Sequence, residues 1–215
     1  MRIKLILTIA IMFFTLCGTS FAADIKLPAP LKDGGPNVLK AIDQRGSAGQ
    51  SGLTGDKLTP EDLSTVLWAA SGHNRDGAKW TVPMALGTEP YCKLYIADET
   101  GVYLYNWREH VLNQVLTQDI RAEIARQEFV QKAPQIIIMV LDDSILAAKV
   151  KDAEGRKEME MLAVGSMSQN IYLASQAVDA QTRMVFYTDR DKITELLKLP
   201  ADHQPVCIMP ISKGQ

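Results

Sequence analysis

LTPEDLSTVLWAASGHNRDGAKWTVP, Leu58 to Pro83, writes out one complete amphipathic helix and then a polar loop. Thr59 can cap the helix with its hydroxyl, Pro60 takes the first helical position where a missing N–H is no loss, and Asp62 completes a T-x-x-D capping box. Leu58 and Leu63 flank the box at the spacing of a hydrophobic staple. Leu63, Val66, Leu67 and Ala70 recur at i, i+3, i+4 and i+7, which commits one face to a core, and Gly72 offers a left-handed stop. The following His73-Asn74-Arg75-Asp76-Gly77 reads as a flexible loop, and Trp80 to Pro83 as a rigid wall beside a cleft. An ordinary surface connection would look much the same, because loops are polar for many reasons.

Outward from this stretch the chain divides simply. Arg2 and Lys4, the apolar run Leu5 to Leu16 and the small-residue site around Ser20-Phe21-Ala22 read as a signal peptide over residues 1–22. The apolar run is too short to span a bilayer comfortably. Leu16 before Cys17 makes a poor lipid-attachment site, so the expected product is soluble, in the periplasm or otherwise exported. Residues 23–35, with Pro28, Pro30, Gly34 and Gly35, form an extended lead-in, and residues 36–215 one domain. The formal net charge of −2, more negative once Arg2 and Lys4 are removed, argues against nucleic acid or an anionic membrane as the main partner.

Pro36 to Gln44 reads as a short helix with Val38, Leu39 and Ile42 inward. Lys93–Ala97 and Val102–Asn106 alternate around Asp98-Glu99-Thr100-Gly101 as a hairpin, with Tyr95, Tyr103 and Tyr105 as sheet aromatics. Thr117 to Gln131 reads as a helix, Ile136 to Leu141 as a strand buried on both faces, and Val206 to Ile211 as the last strand. Glu158 to Val178 is a long helix whose small residues allow close packing, with Met161, Val164, Ser168, Ile171, Tyr172 and Ser175 on one stripe. Thr188 to Asp191 forms another capping box ahead of Ile193, Leu196 and Leu197. Cys92 and Cys207 lie at predicted strands and could pair only if those strands are neighbours.

No hydrolase, metal or nucleotide-loop pattern is written. The three histidines, at 73, 110 and 203, lack metal-ligand spacing, and Asp142-Asp143 reads as a solvated strand end. Any chemistry therefore has to come from a borrowed cofactor.

LSTVLWAASGHNR, then T-V-P, then GVYLYNWREH, resembles the nitroreductase-like flavoprotein superfamily, in particular its SagB-type dehydrogenase branch, from about Val38 to Ile211. The resemblance implies an α+β fold with a central, mainly antiparallel sheet of about four strands flanked by helices. It implies a homodimer with flavin mononucleotide (FMN) near the subunit interface, and hydride transfer to a small quinone-like, nitroaromatic or enone-like electron acceptor. Arg45 and Ser47 match the family's R-R-S-x-R motif for the FMN phosphate, whereas Gly46 and Gly49 depart from it. Val82, Pro83 and Met84 stand where a backbone segment lies along the flavin ring, and Asn74 and Arg75 near the substrate side. Thr182, Arg183 and Lys213 are the remaining candidates for cofactor contact. Phe186 and Tyr187 replace the family's glycines, which leaves an alternative open. In it the chain is a flavin-free binding or scaffold protein whose Phe186 and Tyr187 occupy the cofactor pocket.

Overall fold

The computed structural model describes residues 24–214. The expected signal peptide and Cys17 lie outside that range. Among the described residues no helix is long and apolar enough to cross a membrane.

The strands are β1 (Ile25–Lys26), β2 (His73–Asn74), β3 (Lys79–Trp80), β4 (Cys92–Asp98), β5 (Gly101–Asn106), β6 (Val111–Leu116), β7 (Gln135–Asp142), β8 (Ala180–Thr182) and β9 (His203–Lys213). The helices are α1 (Val38–Gln44), α2 (Pro60–Ser71), α3 (Arg121–Ile124), α4 (Glu128–Gln131), α5 (Asp143–Ala147), α6 (Ala153–Ala177) and α7 (Arg190–Leu197). Seven strands form one sheet in the order β1-β6-β5-β4-β7-β9-β8, with every neighbouring pair antiparallel. The fold is α+β as expected, and the sheet is larger than four strands. β4, β5, β7 and β9 are the four that the sequence announces. The added strands are short or, in β6, half polar, so hydrophobic alternation does not mark them.

Each face of the sheet has its own core. Ile96, Ile137, Met139 and Met209 pack with Leu63, Val66 and Leu67 of α2 and with Val164, Met167 and Ile171 of α6. Ala97, Ile136, Ile138 and Ile208 pack on the other face with Ile120, Ile124, Val130 and Ile193, from α3, α4, α7 and their flanks. β7 is buried along its whole length, as a strand covered on both faces must be.

α2 starts as its sequence says: Thr59 accepts a hydrogen bond from the Asp62 amide at 3.2 Å, with Pro60 at the first position. The other half of the box is absent, because the Asp62 carboxylate turns outward to the Lys213 ammonium at 3.0 Å. Gly72 is not left-handed but extended, at φ −83° and ψ 176°. A Cβ there would fall inside contact with the Trp68 ring and carbonyl, so glycine is required by close approach and not by backbone freedom. The His73–Gly77 stretch is ordered: β2 and β3 pair across a turn in which Arg75, Asp76 and Gly77 all take positive φ.

Five further expectations need correction. α1 is capped by Asn37 and buries only Ala41, while Val38, Leu39 and Ile42 are 64%, 75% and 51% exposed. Thr117–Gln131 is not one helix, since Ala125 is extended and bridges to Thr188, splitting α3 from α4. α7 is capped by Asp189, not Thr188, whose hydroxyl instead donates to the Ile124 carbonyl at 2.6 Å. α6 begins ahead of Glu158, because the Asp152 carboxylate accepts from the amides of Glu154 and Gly155. Of its stripe, Val164, Ser168, Ile171, Tyr172 and Ser175 are buried and Met161 is exposed.

Cys92 on β4 and Cys207 on β9 are both buried and free. β7 lies between their strands. Two interstrand spacings, about 9–10 Å, exceed the roughly 7 Å that a disulfide can bridge.

Candidate functional site

The turn after α1 is held against the far edge of the sheet, where the Ala48 amide donates to the Thr182 carbonyl at 2.9 Å. This places Arg45 and Ser47 beside Tyr172 of α6. The Arg45 guanidinium carbon lies 3.8 Å from the Tyr172 ring centroid, a cation–π stack. The Ser47 hydroxyl is 3.0 Å from the Tyr172 hydroxyl, which also accepts from the Met184 amide at 2.8 Å. Because that amide uses one lone pair, the tyrosine proton is free to point at Ser47. One Arg45 atom, Nε, is buried without a hydrogen-bond partner. Buried donors are nearly always paired, so this one marks a position where an acceptor is wanted. Tyr172 and Met184 were not among the sequence candidates. Tyr172 was legible only as a member of the buried stripe of α6.

The other candidates divide. Lys213 is committed, its ammonium bonded to Asp62 at 3.0 Å and to the Val178 carbonyl at 2.6 Å, so it is not free to meet a phosphate. Thr182 is buried and its hydroxyl donates to the Pro210 carbonyl at 2.9 Å. Arg183 turns to Phe129, 5.7 Å from its ring centroid, on the side of the α3–α4 core. Val82 is 3% exposed and belongs to the core, whereas Pro83 is exposed. Met84 is half-buried against Tyr91, Leu146 and Ala163. Beyond it Leu86 takes a positive φ of 54° and is 58% exposed. Phe186 and Tyr187 are 55% and 74% exposed in the single chain.

Asn74 lines a cavity of about 330 Å³ between α2 and α6, together with Trp68, Thr81 and Asn170. The Asn170 amide donates to the carbonyls of Ala69 and Thr81 at 2.8 and 3.3 Å, pinning the segment that leads to Pro83. Arg75 lies outside the cavity at the hairpin tip, with its Nε donating to Asn74 at 3.2 Å. The wall expected at Trp80 is an aromatic cluster. His73 stacks on Trp80 at 4.3 Å, and Trp107 meets both edge-on, at 5.0 and 4.5 Å.

One group of potential metal ligands occurs among the described residues, which the histidine spacing did not reveal. β7 pairs with β9 so that Asp142 faces His203, and their ligand atoms lie with Asp202 within 4.8 Å of one another. Asp142 is buried and not solvated. Its charge is met by the Lys93 ammonium at 3.4 Å and by the Ser144 hydroxyl at 2.5 Å. These contacts explain the carboxylate without an ion.

The nitroreductase family model matches residues 47–214. The chain belongs to the nitroreductase family. Among solved structures, a putative nitroreductase from Ralstonia eutropha JMP134 is 26% identical, covers 89% of this chain and 90% of its own, and superposes with a TM-score of 0.81. A putative nitroreductase from Anabaena variabilis is 18% identical with a TM-score of 0.71, covering 90% of this chain and 42% of its own. The NADPH:FMN oxidoreductase from Vibrio harveyi complexed with NAD+ is 16% identical with a TM-score of 0.57, over 84% of this chain and 70% of its own. The last two share the fold. No curated protein matches the chain in sequence. At the level of the family, this nitroreductase-fold chain stands with flavin-type oxidoreductases.

Proposed function

We propose that the chain is an FMN-dependent oxidoreductase of the SagB type, exported and homodimeric, that passes hydride to a small quinone-like, nitroaromatic or enone-like acceptor. The observation that carries this reading is the unpartnered Nε of Arg45, whose guanidinium stacks on the same Tyr172 that the Ser47 hydroxyl meets. A phosphate accepts from both, and charge-assisted bonds of this kind dominate phosphate recognition. In the flavin-free reading Phe186 and Tyr187 plug the pocket, whereas in the single chain both are exposed.

The residues that fit the cofactor are fewer than the sequence suggested: Arg45 and Ser47 for the phosphate, and Pro83 and Met84 for the ring. FMN supplies the hydride chemistry when bound, which leaves the protein only binding, orientation and exclusion of water. Tyr172 does the orienting on the phosphate side, by fixing Arg45 through its ring and Ser47 through its hydroxyl. Asn170 does so on the ring side, by holding the Thr81 carbonyl. The exposed apolar side chains Val38, Leu39, Ile42, Leu162, Phe186 and Tyr187 are the surface that a second copy would cover.

The test is to titrate apo-protein with FMN by flavin fluorescence quenching, wild type beside Arg45→Ala. A charged hydrogen bond is worth about 1.5–3 kcal/mol, so the variant is expected to bind roughly one to two powers of ten more weakly. Wild-type protein without saturable binding overturns the oxidoreductase reading. Equal binding by both proteins overturns the phosphate site.

A further inference from the structure

The geometry points to a second small-molecule site, under the β1 end of the sheet, for a neutral monocyclic ligand that carries one acceptor oxygen. A cavity of about 210 Å³ lies there between the sheet and the start of α2. Its walls are Leu27, Leu63, Ile96 and Leu112, all buried, and the ring of Tyr103. Apolar cavities of about 150 Å³ remain dry and take up benzene, so this space suits one ring with a short substituent.

Lys57, Asp98 and Gln135 bring polar groups to the cavity. The Asp98 carboxylate is already taken by Lys57 and Thr100, and the other two have a donor to spare. Gln135 is 1% exposed. Its Oε1 accepts from the Leu58 amide at 3.0 Å, and its Nε2 donates to none of the described residues. Lys57 gives two of its three hydrogens to Asp98 and Glu99, at 2.6 and 3.1 Å, which leaves one. Both spare groups are donors, so the ligand has to bring an acceptor. Two carboxylates beside one ammonium make the rim net negative, which disfavours an anion. A single water could meet Gln135, but apolar walls give further waters too few partners to fill the rest. Access lies between Ile25, 40% exposed, and the partly exposed Lys57. The β1 edge there is held by only two residue pairs to β6. This site is independent of the flavin reading, because Arg45 and Ser47 sit by β8 at the opposite edge of the sheet.

The experiment is a methyl NMR titration of the protein as purified, with acetophenone, ethylbenzene and benzoate as probes. Saturable shifts are expected for Ile25, Leu63, Ile96 and Leu112 with acetophenone, weaker ones with ethylbenzene, and none with benzoate. Ile25→Trp plugs the exposed rim, where a large side chain does not disturb the core, and is expected to weaken acetophenone binding about tenfold or more. Leu112→Phe fills the cavity from inside, and if it fails to fold the rim variant decides. Absence of saturable shifts at millimolar acetophenone, or undiminished binding by Ile25→Trp, overturns the site. Equal binding of ethylbenzene overturns the acceptor requirement.

Discussion

Tyr172→Phe separates the two jobs of one side chain. The ring stays, and with it the stack under Arg45 at 3.8 Å; the hydroxyl goes, and with it the acceptor for the Met184 amide and the partner of Ser47. Tyr172 is 5% exposed, so water does not readily replace what is lost. Leaving one buried amide without an acceptor costs about 1–3 kcal/mol. For a domain of this size each kcal/mol lowers the unfolding midpoint by about 2–4 °C, so a fall of roughly 2–12 °C is expected by differential scanning calorimetry. FMN affinity is expected to drop less than in Arg45→Ala, because the positive charge is untouched and only Ser47 is loosened. An unchanged midpoint would refute the bracing role of the hydroxyl. A loss of affinity as large as that of Arg45→Ala would place the hydroxyl, and not the guanidinium, at the centre of the site.

His110 ties the lead-in to the sheet. Its Nδ1 lies 2.8 Å from the Tyr105 hydroxyl, and its Nε2 lies 2.7 Å from Ser64 and 3.0 Å from the Pro28 carbonyl. Burial lowers its pKa from the usual value near 6.5, and nearby Lys32 adds to this against the opposing Pro28 bond. The unfolded chain thus binds the proton more readily, so stability is expected to fall as pH drops from about 6.5 toward the folded pKa, and His110→Gln to flatten that slope in thermal melts. Thiol mapping is expected to find Cys92 and Cys207 both reactive after denaturation and almost unreactive before, since burial pushes Cys207 up to about 12 and Cys92 well above its ordinary value; a bridge between the two would contradict the strand order. Light scattering at micromolar concentration is expected to give a dimer mass that Leu39→Glu shifts toward monomer, and a wild-type monomer would remove the second copy from the proposal.

What the sequence revealed, it revealed where one force decides the outcome. The staple, cap and periodic face of α2 and the unbroken apolar run of β7 are local statements, and both elements are where those statements put them. What it hid depends on distant partners. Val38, Leu39 and Ile42 carry a helical apolar pattern, which says that a face is apolar but not what covers it. Lys213 looks like a free cation at a strand end until Asp62, far away in sequence, takes it. Asp142 and His203 become neighbours only through strand pairing. The phosphate-side candidates Arg45 and Ser47 are visible through the motif they share with the family, but Tyr172, which holds both, carries no motif at all.

The strand order has a consequence for how the molecule is made. β9 follows all other strands along the chain, yet it is inserted between β7 and β8. Until it arrives, the apolar run Ile136–Leu141 presents one unpaired edge, and long-range pairing of this kind is slow to form. A nascent chain halted anywhere before Val206 therefore carries a sticky, half-built sheet. Until β9 is made, that edge is open to pairing with a strand of another chain.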